Sequence, residues 1–549
     1  MENQMFCFQC QETAKGTGCN LAGVCGKKAA TAGLQDLLIA VVRGLGSIDH
    51  LMRQQGVVCS CTCVSDFMVD ALFATISCAN YDDEAIAAKI DRGLELKAKR
   101  TAKCETNGVT LPDWPEIIYT GSRDTYAADA ARFGILRTED PDVRSLRELT
   151  TLGLKGMCAY YEHAARLGQT SDDILAFLSK ALYEITSPAA TVDSLLPVVL
   201  ETGKWGVDVM ALLDKANTTA YGNPEISRVN IGVGKRPGIL ITGHDLKDLE
   251  QLLEQTQGTG VDVYTHGEML TASSYPAFKK YKNLVGNYGG AWYAQKEEFA
   301  RFNGPIVATT NCVLIPKETY ADRLYTTGTA GIPGAFNIPC VDGKKDFSRV
   351  IEQAKKCAPP EQIDDRELTI GFGHSQVLSL ADTIVGAVKS GAISRFVVMA
   401  GCDGHFGKRT YYTEFAESLP KDAVILTAGC AKYRLNRLDL GDIGGIPRLI
   451  DAGQCNDCYS LVVIALKLAE VFGTDVNGLP LSFNISWYEQ KAVLVLLTLL
   501  SLGVKDIMLG PRLPKFISPG ILDVLVKNFG IKGNSTVKED MVILNIAEQ

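Results

Sequence analysis

The sequence predicts an α + α/β protein: a helix-rich N-terminal domain followed by two parallel α/β domains. Three observations carry that reading. From about Thr31 to Ala216, apolar residues recur at three- and four-residue intervals, as in LQDLLIAVVRGLGSIDHLM and SDDILAFLSKALYEIT, and strand-like runs are scarce. Beyond the loop-like stretch Tyr221 to Pro237, short β-branched runs alternate with amphipathic helices, the grammar of parallel α/β units. The segment Cys357 to Asp365, with paired prolines and several charges, interrupts that alternation and marks a seam between two such units. Domains are therefore expected at residues 1–225, 226–362 and 363–549.

The bulk properties agree. A chain of 549 residues exceeds what one hydrophobic core organises, and about 100–200 residues per domain gives three or four. With 46% hydrophobic and 21% charged residues it has a globular rather than a disordered composition. The net charge of −8 and the lack of any Lys/Arg block argue against nucleic-acid binding, while an acidic surface suits a basic redox partner. The most apolar run, Ala492 to Val504, has 13 residues where a spanning helix needs about 20, so it reads as a buried core helix and no membrane association is expected. The start, Met-Glu-Asn-Gln-Met-Phe-Cys, lacks the features of a signal peptide, which predicts a cytoplasmic protein. Seventeen cysteines in such a chain point to metal or redox chemistry, and the odd count excludes complete internal pairing.

Cys7, Cys10, Cys19 and Cys25 form a C-x2-C-x8-C-x5-C array, with glycines at 16, 18, 23 and 26 that let the backbone wrap tightly around a common centre. Four convergent thiolates suit zinc or an iron–sulfur cluster. Zinc ribbons show two C-x2-C knuckles and this array has one, which favours iron–sulfur.

A second constellation follows from a rule of open α/β sheets, that functional groups gather beyond the carboxyl ends of strands. GILITG (238–243) leads to His244, VDVYTH (261–266) to Glu268, GPIVATT (304–310) to Cys312, FVVMAG (396–401) to Cys402 and AVILTAG (423–429) to Cys430. LTIGFG (368–373) and DIMLG (506–510) are further candidate strands. Taken singly, each of the five side chains reads as a small buried residue or a helix cap. Repetition at five strand ends argues for one shared site. DAGQCNDCYS adds Cys455 and Cys458 in a C-x2-C spacing, and SWYEQKA places Glu489 and Lys491 beside the apolar helix. All-thiolate clusters chiefly move electrons, whereas nitrogen and oxygen donors on iron tolerate open positions for a small substrate. The first array therefore reads as an electron relay and the second as a catalytic centre.

The blocks FCFQCQET, GHDLKDLEQLLEQT, VYTHGEML, LVGNYGGAW, GPIVATTNC, GCDG, LDLGDIGGIPRLIDAGQCNDCYS and SWYEQKAVLVLLTLLSLGVKDIMLGP resemble those of hybrid-cluster proteins, also called hydroxylamine reductases. The likeness runs from the first cysteine to the C-terminal helices. It implies a helical domain followed by two Rossmann-like parallel α/β domains, with a hybrid iron–sulfur–oxygen cluster where the three meet. The implied ligands of that cluster are His244, Glu268, Cys312, Cys402, Cys430, Cys455 and Glu489; Cys402 matches a cysteine found as a persulfide, and Cys458 matches no ligand. The short N-terminal spacing implies a 4Fe-4S cluster on Cys7, Cys10, Cys19 and Cys25. Trp292, Asn311 and Tyr488 match residues lining the cluster pocket. Cys59, Cys61 and Cys63 alternate in VVCSCTCVSD without a fourth ligand, so they read as packing residues, as do Cys78, Cys104, Cys158, Cys340 and Cys357.

The resemblance implies two-electron, two-proton reduction of hydroxylamine to ammonia and water, with electrons entering at the Cys7 cluster and Glu268, Glu489 and Lys491 as acid/base groups. Reduction of nitric oxide in nitrosative-stress defence is the alternative within enzymes. Carbon monoxide dehydrogenase chemistry requires nickel, and the glutamate and oxygen-type ligation counts against it. A redox or nitrosative sensor without turnover is the reading from another class. No flavin or nicotinamide domain is recognisable, which predicts a separate electron-donor protein.

Overall fold

The computed structural model describes residues 5–57 and 61–546; Cys59 lies outside the described residues. Six long helices precede the first sheet: α1 (Ala29–Gln54), α2 (Cys63–Ala74), α3 (Asp83–Thr106), α4 (Pro141–Arg166), α5 (Asp172–Thr186) and α6 (Val192–Tyr221). Their starts are set by capping chemistry. Asp82, Asp140 and Ser171 accept hydrogen bonds from first-turn N–H groups, and Thr191 with Ser194 forms a reciprocal capping box. Helix α1 is long and apolar enough to cross a membrane, yet 78% of that apolar window is buried among its neighbours, as in a core helix.

Two six-stranded sheets follow. The first contains β1 (Gly238–Thr242), β2 (Asp262–His266), β3 (Leu284–Asn287), β4 (Ile306–Ala308), β5 (Leu324–Thr327) and β6 (Phe336–Ile338) in the order β3-β2-β1-β4-β5-β6, every pair parallel. The second repeats this order as β9-β8-β7-β10-β11-β12, built from β7 (Arg395–Val398), β8 (Ala423–Thr427), β9 (Leu449–Asp451), β10 (Leu481–Ser486), β11 (Ile507–Gly510) and β12 (Lys532–Gly533). The near-continuous apolar strands make sense because both faces are covered. Leu240, Phe396, Val398 and Leu426 point into one core shared with the helices, whereas Ile239 and Ile241, and Val397 and Ile425, fill separate cores on the opposite faces.

Three further helices matter for the site: α7 (Leu246–Thr256), α8 (Cys458–Phe472) and α9 (Gln490–Ser501). As expected for the apolar run at 492–504, α9 is a core helix, buried from Gln490 to Leu500 and packed against α4 and α6.

The strand expected at 368–373 belongs to neither large sheet. Glu367–Ile370 pairs antiparallel with Ser227–Asn230, inside the stretch read as loop. Its alternating burial is that of a half-covered ribbon, unlike the fully buried β1. Strand β10 escaped detection because its side chains at 482, 484 and 486 are polar. The fold accepts them by pairing each: Ser482 with Arg395 at 2.9 Å, Asn484 with Tyr411 at 3.1 Å and Ser486 with Arg409 at 2.7 Å.

Candidate metal centres

In each sheet the strand order reverses at the central pair, β1/β4 and β7/β10, the place where open α/β sheets gather ligands. His244, Glu268 and Cys312 leave the carboxyl ends of β1, β2 and β4; Cys402, Cys430, Cys455 and Glu489 leave those of β7, β8, β9 and β10. Sequence reading found five of these strand ends and not the last two, since Leu449–Asp451 and Leu481–Ser486 were not recognised as strands. A usable signal was present: glycine immediately precedes His244, Glu268, Cys402 and Cys430. At Gly401 (φ +111°) a Cβ would lie 2.0 Å from Ser486 O, and at Gly429 (φ +79°) 2.4 Å from Gly401 O, so only glycine permits the chain to turn here. Cys312 itself adopts φ +67°, a strained conformation of the kind held at functional sites.

Three of the seven side chains meet closely. Donor atoms of His244, Glu268 and Cys455 all lie within 4.8 Å of one another. The Cys430 thiol is pushed up first by burial and then by Glu268, Cys312 and Cys402, and the Cys402 thiol by burial and then by Glu489. Thr310 Oγ1 stands 2.7 Å from His244 Nδ1 and fixes the ring, leaving Nε2 toward the donors. Lys491 Nζ lies 2.9 Å from that Nε2, 2.8 Å from Asn311 Oδ1, which accepts from it, and 3.7 Å from Glu489 Oε1. Glu268 Oε2 accepts a 2.7 Å bond from the Cys455 amide, and Gln454 Nε2 donates to the carbonyls of His244 and Glu268 at 3.2 Å each.

Electrostatics match a cation site. Burial, reinforced by Lys491, holds His244 well below the ordinary histidine range, so the imidazole is neutral and able to donate a lone pair. Burial pushes the Cys312 and Cys455 thiols well above their usual range and Cys402 up to about 12, while it raises Glu268 against the pull of Lys432 and Lys491. Thiols so disfavoured as anions become thiolates where metal cations compensate their charge. The donor set, four sulfurs with imidazole and carboxylates around a position already facing an ammonium, fits a mixed-ligand iron cluster.

Of the expected pocket residues, Asn311 donates from Nδ2 to Cys312 Sγ at 3.3 Å, and Trp292 packs on Tyr488 with ring centroids 4.5 Å apart. Trp292 Nε1 donates to Asp403 O at 3.1 Å. An apolar cavity of about 50 Å³, lined by Leu461, Val495, Leu499 and their neighbours between α8, α9 and the second sheet, reaches Cys402 and Cys455. Cys458 lines this cavity as well.

The N-terminal array folds as a tight loop. Cys7 and Cys19 pair as an antiparallel bridge, their amides donating to each other's carbonyls at 2.9 and 2.8 Å. Ala14 N donates to Cys19 Sγ at 3.3 Å. The Cys10 thiol is pushed well up, by burial first and then by Cys7, Cys25 and Cys19. Gln11 N donates to Tyr488 O at 2.9 Å and Gln490 Nε2 to Gln9 O at 2.7 Å, seating this loop on the strand end that carries Glu489. Cys78, read from sequence as structural, lies beside Tyr488, its Sγ 3.2 Å from Tyr488 OH. Nothing in its sequence context signals that position. The sulfurs of Cys61 and Cys63 touch each other, and Cys104, Cys158, Cys340 and Cys357 are free thiols. Among the described residues a further ligand-like group, Glu162, His163 and Asp245, is engaged by Arg166, whose guanidinium pairs with Asp245 and Asp248, so it is an ion-pair network.

The hydrogen bond from Cys78, together with Lys27, lowers the Cys25 thiol to about 5. In cluster-free protein Cys25 should therefore react with iodoacetamide at a rate already near its plateau by pH ~6.5, where an ordinary thiol of pKa about 8.5 is barely ionised. Peptide mapping across a pH series checks this; a rate that climbs through pH ~8–9 contradicts it.

A family model described as the prismane/CO dehydrogenase family matches residues 5–542. The hydroxylamine reductase of Bacteroides fragilis is 58% identical over 543 residues, covering 98% of this chain and 99% of that one. Those of Porphyromonas gingivalis and Caldanaerobacter subterraneus are 56% and 57% identical, each over 98% of this chain and 99% of theirs. Among solved structures, the as-isolated nickel-free carbon monoxide dehydrogenase from Thermococcus sp. AM4 aligns with TM-score 0.55 and 19% identity over 98% of this chain and 90% of that chain. Carbon monoxide dehydrogenase IV from Carboxydothermus hydrogenoformans gives 0.55 and 16% over 98% and 92%. This second likeness is one of fold.

Proposed function

The chain belongs to the prismane/CO dehydrogenase family, and from that membership and its two sulfur-rich centres we propose that it is an iron–sulfur oxidoreductase reducing hydroxylamine to ammonia and water. The balance is NH2OH + 2 e⁻ + 2 H⁺ → NH3 + H2O. The observation that carries the reading is that seven potential donor side chains leave the strand ends of two sheets, with donor atoms of His244, Glu268 and Cys455 within 4.8 Å of one another. In this reading Cys7, Cys10, Cys19 and Cys25 hold a 4Fe-4S cluster, and His244, Glu268, Cys312, Cys402, Cys430, Cys455 and Glu489 hold the hybrid iron–sulfur–oxygen cluster, with Cys402 as a persulfide in its oxidised form. A reduced iron centre with mixed sulfur, nitrogen and oxygen donors supplies electrons and an open position for a small substrate.

The protein's own groups supply the rest. Lys491 Nζ, 2.9 Å from His244 Nε2 and 3.7 Å from Glu489 Oε1, holds a proton at the heart of the donor ring. Glu268 is pushed up by burial and is a second proton donor. Trp292, Tyr488 and Asn311 are at most 3% exposed and wall the centre from water. Residues 1–225, 226–362 and 363–549 act as three units meeting at this centre, and electrons come from a separate donor protein in the cytoplasm. Reduction of nitric oxide is the second reading, favoured by the apolar cavity that reaches Cys402 and Cys455, since a small uncharged gas partitions into such a space more readily than hydroxylamine does.

Anaerobic turnover of the dye-reduced, cluster-loaded protein tests this. One ammonium should form for every two electrons consumed. Negligible ammonium with rapid consumption of nitric oxide moves the assignment to the second reading; neither activity in fully loaded protein removes both.

A further inference from the structure

We infer that the surface around the N-terminal cysteine loop is a docking site for a small acidic electron-carrier protein. The inference rests on Cys7, Cys10, Cys19 and Cys25 holding a redox cluster. Three surface segments meet there: the cysteine loop, residues 404–409 and residues 510–516. Gly16 lies against Arg512, a Cβ at that glycine meeting Arg512 Nη1 at 2.9 Å, and the Arg512 guanidinium sits 3.8 Å from the centre of the Phe406 ring. Glu12 Oε1 accepts from Phe406 N at 3.1 Å, and Phe8 packs on Phe516 with centroids 6.2 Å apart.

The charge of this surface is opposite to that of the protein. The whole chain carries −8, but across residues 5–28, 404–409 and 510–516 the single acidic side chain is Glu12, which is largely buried and faces His405 at 3.4 Å. Its carboxylate is already engaged by His405 and by the Phe406 amide. Lys15, Lys28, Lys408 and Lys515 in the same segments are exposed and Arg512 partly so. Between Cys19 and Cys25 the loop presents Leu21 at 81% and Val24 at 59% exposure. An apolar tip within a basic rim, on the loop that binds the cluster, is complementary to a carrier with an acidic rim around its own exposed redox group. The expectation that an acidic protein seeks a basic partner holds for its average surface and reverses here. Electron transfer falls steeply with distance, so a carrier must seat over this loop, and a small contact suits the brief encounters of redox partners.

The test uses the full-length, cluster-loaded protein and a reduced acidic ferredoxin, with stopped-flow detection of reduction of the N-terminal cluster. The rate constant should fall about tenfold between about 50 and 300 mM salt. A Lys28→Glu/Lys408→Glu/Lys515→Glu variant should lose about tenfold at low salt and most of the salt dependence, while turnover with a small dye stays within about twofold of wild type. Leu21→Ser should slow carrier-driven reduction several-fold, again sparing the dye reaction. Equal rates in the charge-reversed variant, a rate that rises with salt, or a ferredoxin that fails to reduce the loaded wild type would each overturn the proposal. Absorbance and iron content separate the two levels: a missing N-terminal cluster defeats the underlying reading, whereas an intact cluster with no charge dependence defeats the docking site alone.

Discussion

A Lys491→Met variant should lose hydroxylamine turnover by about a hundredfold or more, the size expected when a positioned proton donor is removed. Lys491 is 1% exposed and touches the imidazole of His244, the amide of Asn311 and the carboxylate of Glu489. Burial alone would pull its ammonium down, but Cys455, Glu489, Cys312 and Glu268 outweigh that and push it up, so it stays charged. Methionine keeps the length of the side chain and removes both the charge and the donors. The carboxylates and sulfurs left behind then lack their internal cation, which costs about 3–5 kcal/mol of stability when a buried pair is broken. Two readouts separate chemistry from folding. Cluster absorbance reports whether the centre is assembled, and Lys491→Arg, which restores charge without the compact ammonium, should recover stability more than turnover. An assembled Lys491→Met protein that turns over at the wild-type rate would remove Lys491 from the mechanism.

The architecture was legible where physics is local. Helix periodicity announces the helices directly, and uninterrupted apolar runs such as GILIT announce strands buried on both faces. Strands whose stability is tertiary were not legible. In β10 the polar side chains are tolerated because Arg395, Tyr411 and Arg409 arrive from elsewhere in the chain to bond them, and β12 is a two-residue edge. Conversely, 368–373 looked like a sheet strand because composition does not reveal which partner the strand will meet.

The site was more legible than the sheets that build it. The carboxyl-end rule needs only the end of a strand and the next few residues, so the positions of His244, Glu268, Cys312, Cys402 and Cys430 after strands are readable from sequence alone. Cys455 and Glu489 rest on the family resemblance, because the strands before them were unseen. The place of Cys78 beside Tyr488 was not legible. Its neighbours Cys25 and Tyr488 are 53 residues before and 410 residues after it, and no spacing encodes that meeting.

How α9 is held makes the second large prediction. Four glycines bring α4 and α6 onto it: an added Cβ at Gly203 would lie 2.1 Å from Leu497 O, at Gly206 2.3 Å from Thr498 Oγ1, at Gly156 2.7 Å from Gln490 O, and at Gly153 3.0 Å from Leu497 Cδ1. Thr498 Oγ1 donates to Gly203 O at 3.1 Å across the same contact. Glu489 caps the start of this helix and Lys491 lies in its first turn, so the helix backbone aims both into the donor ring. Gly203→Ala should therefore destabilise the protein by about 1–3 kcal/mol, the overpacking cost outweighing the ~1 kcal/mol that alanine gains over glycine in a helix. It should also cut turnover about tenfold to a hundredfold, because a carbonyl at 2.1 Å cannot yield without moving α9, and displacements of about 1 Å are that costly to positioned groups. Gly386 is the control: it sits in the helix Ala381–Lys389 with nothing within 4 Å of an added Cβ, so Gly386→Ala should stabilise the protein by about 0.5–1 kcal/mol and leave turnover unchanged. Chemical denaturation and dye-driven turnover of the two variants give both signs. Wild-type stability and rate in Gly203→Ala would show that the glycine contacts do not position Glu489 and Lys491.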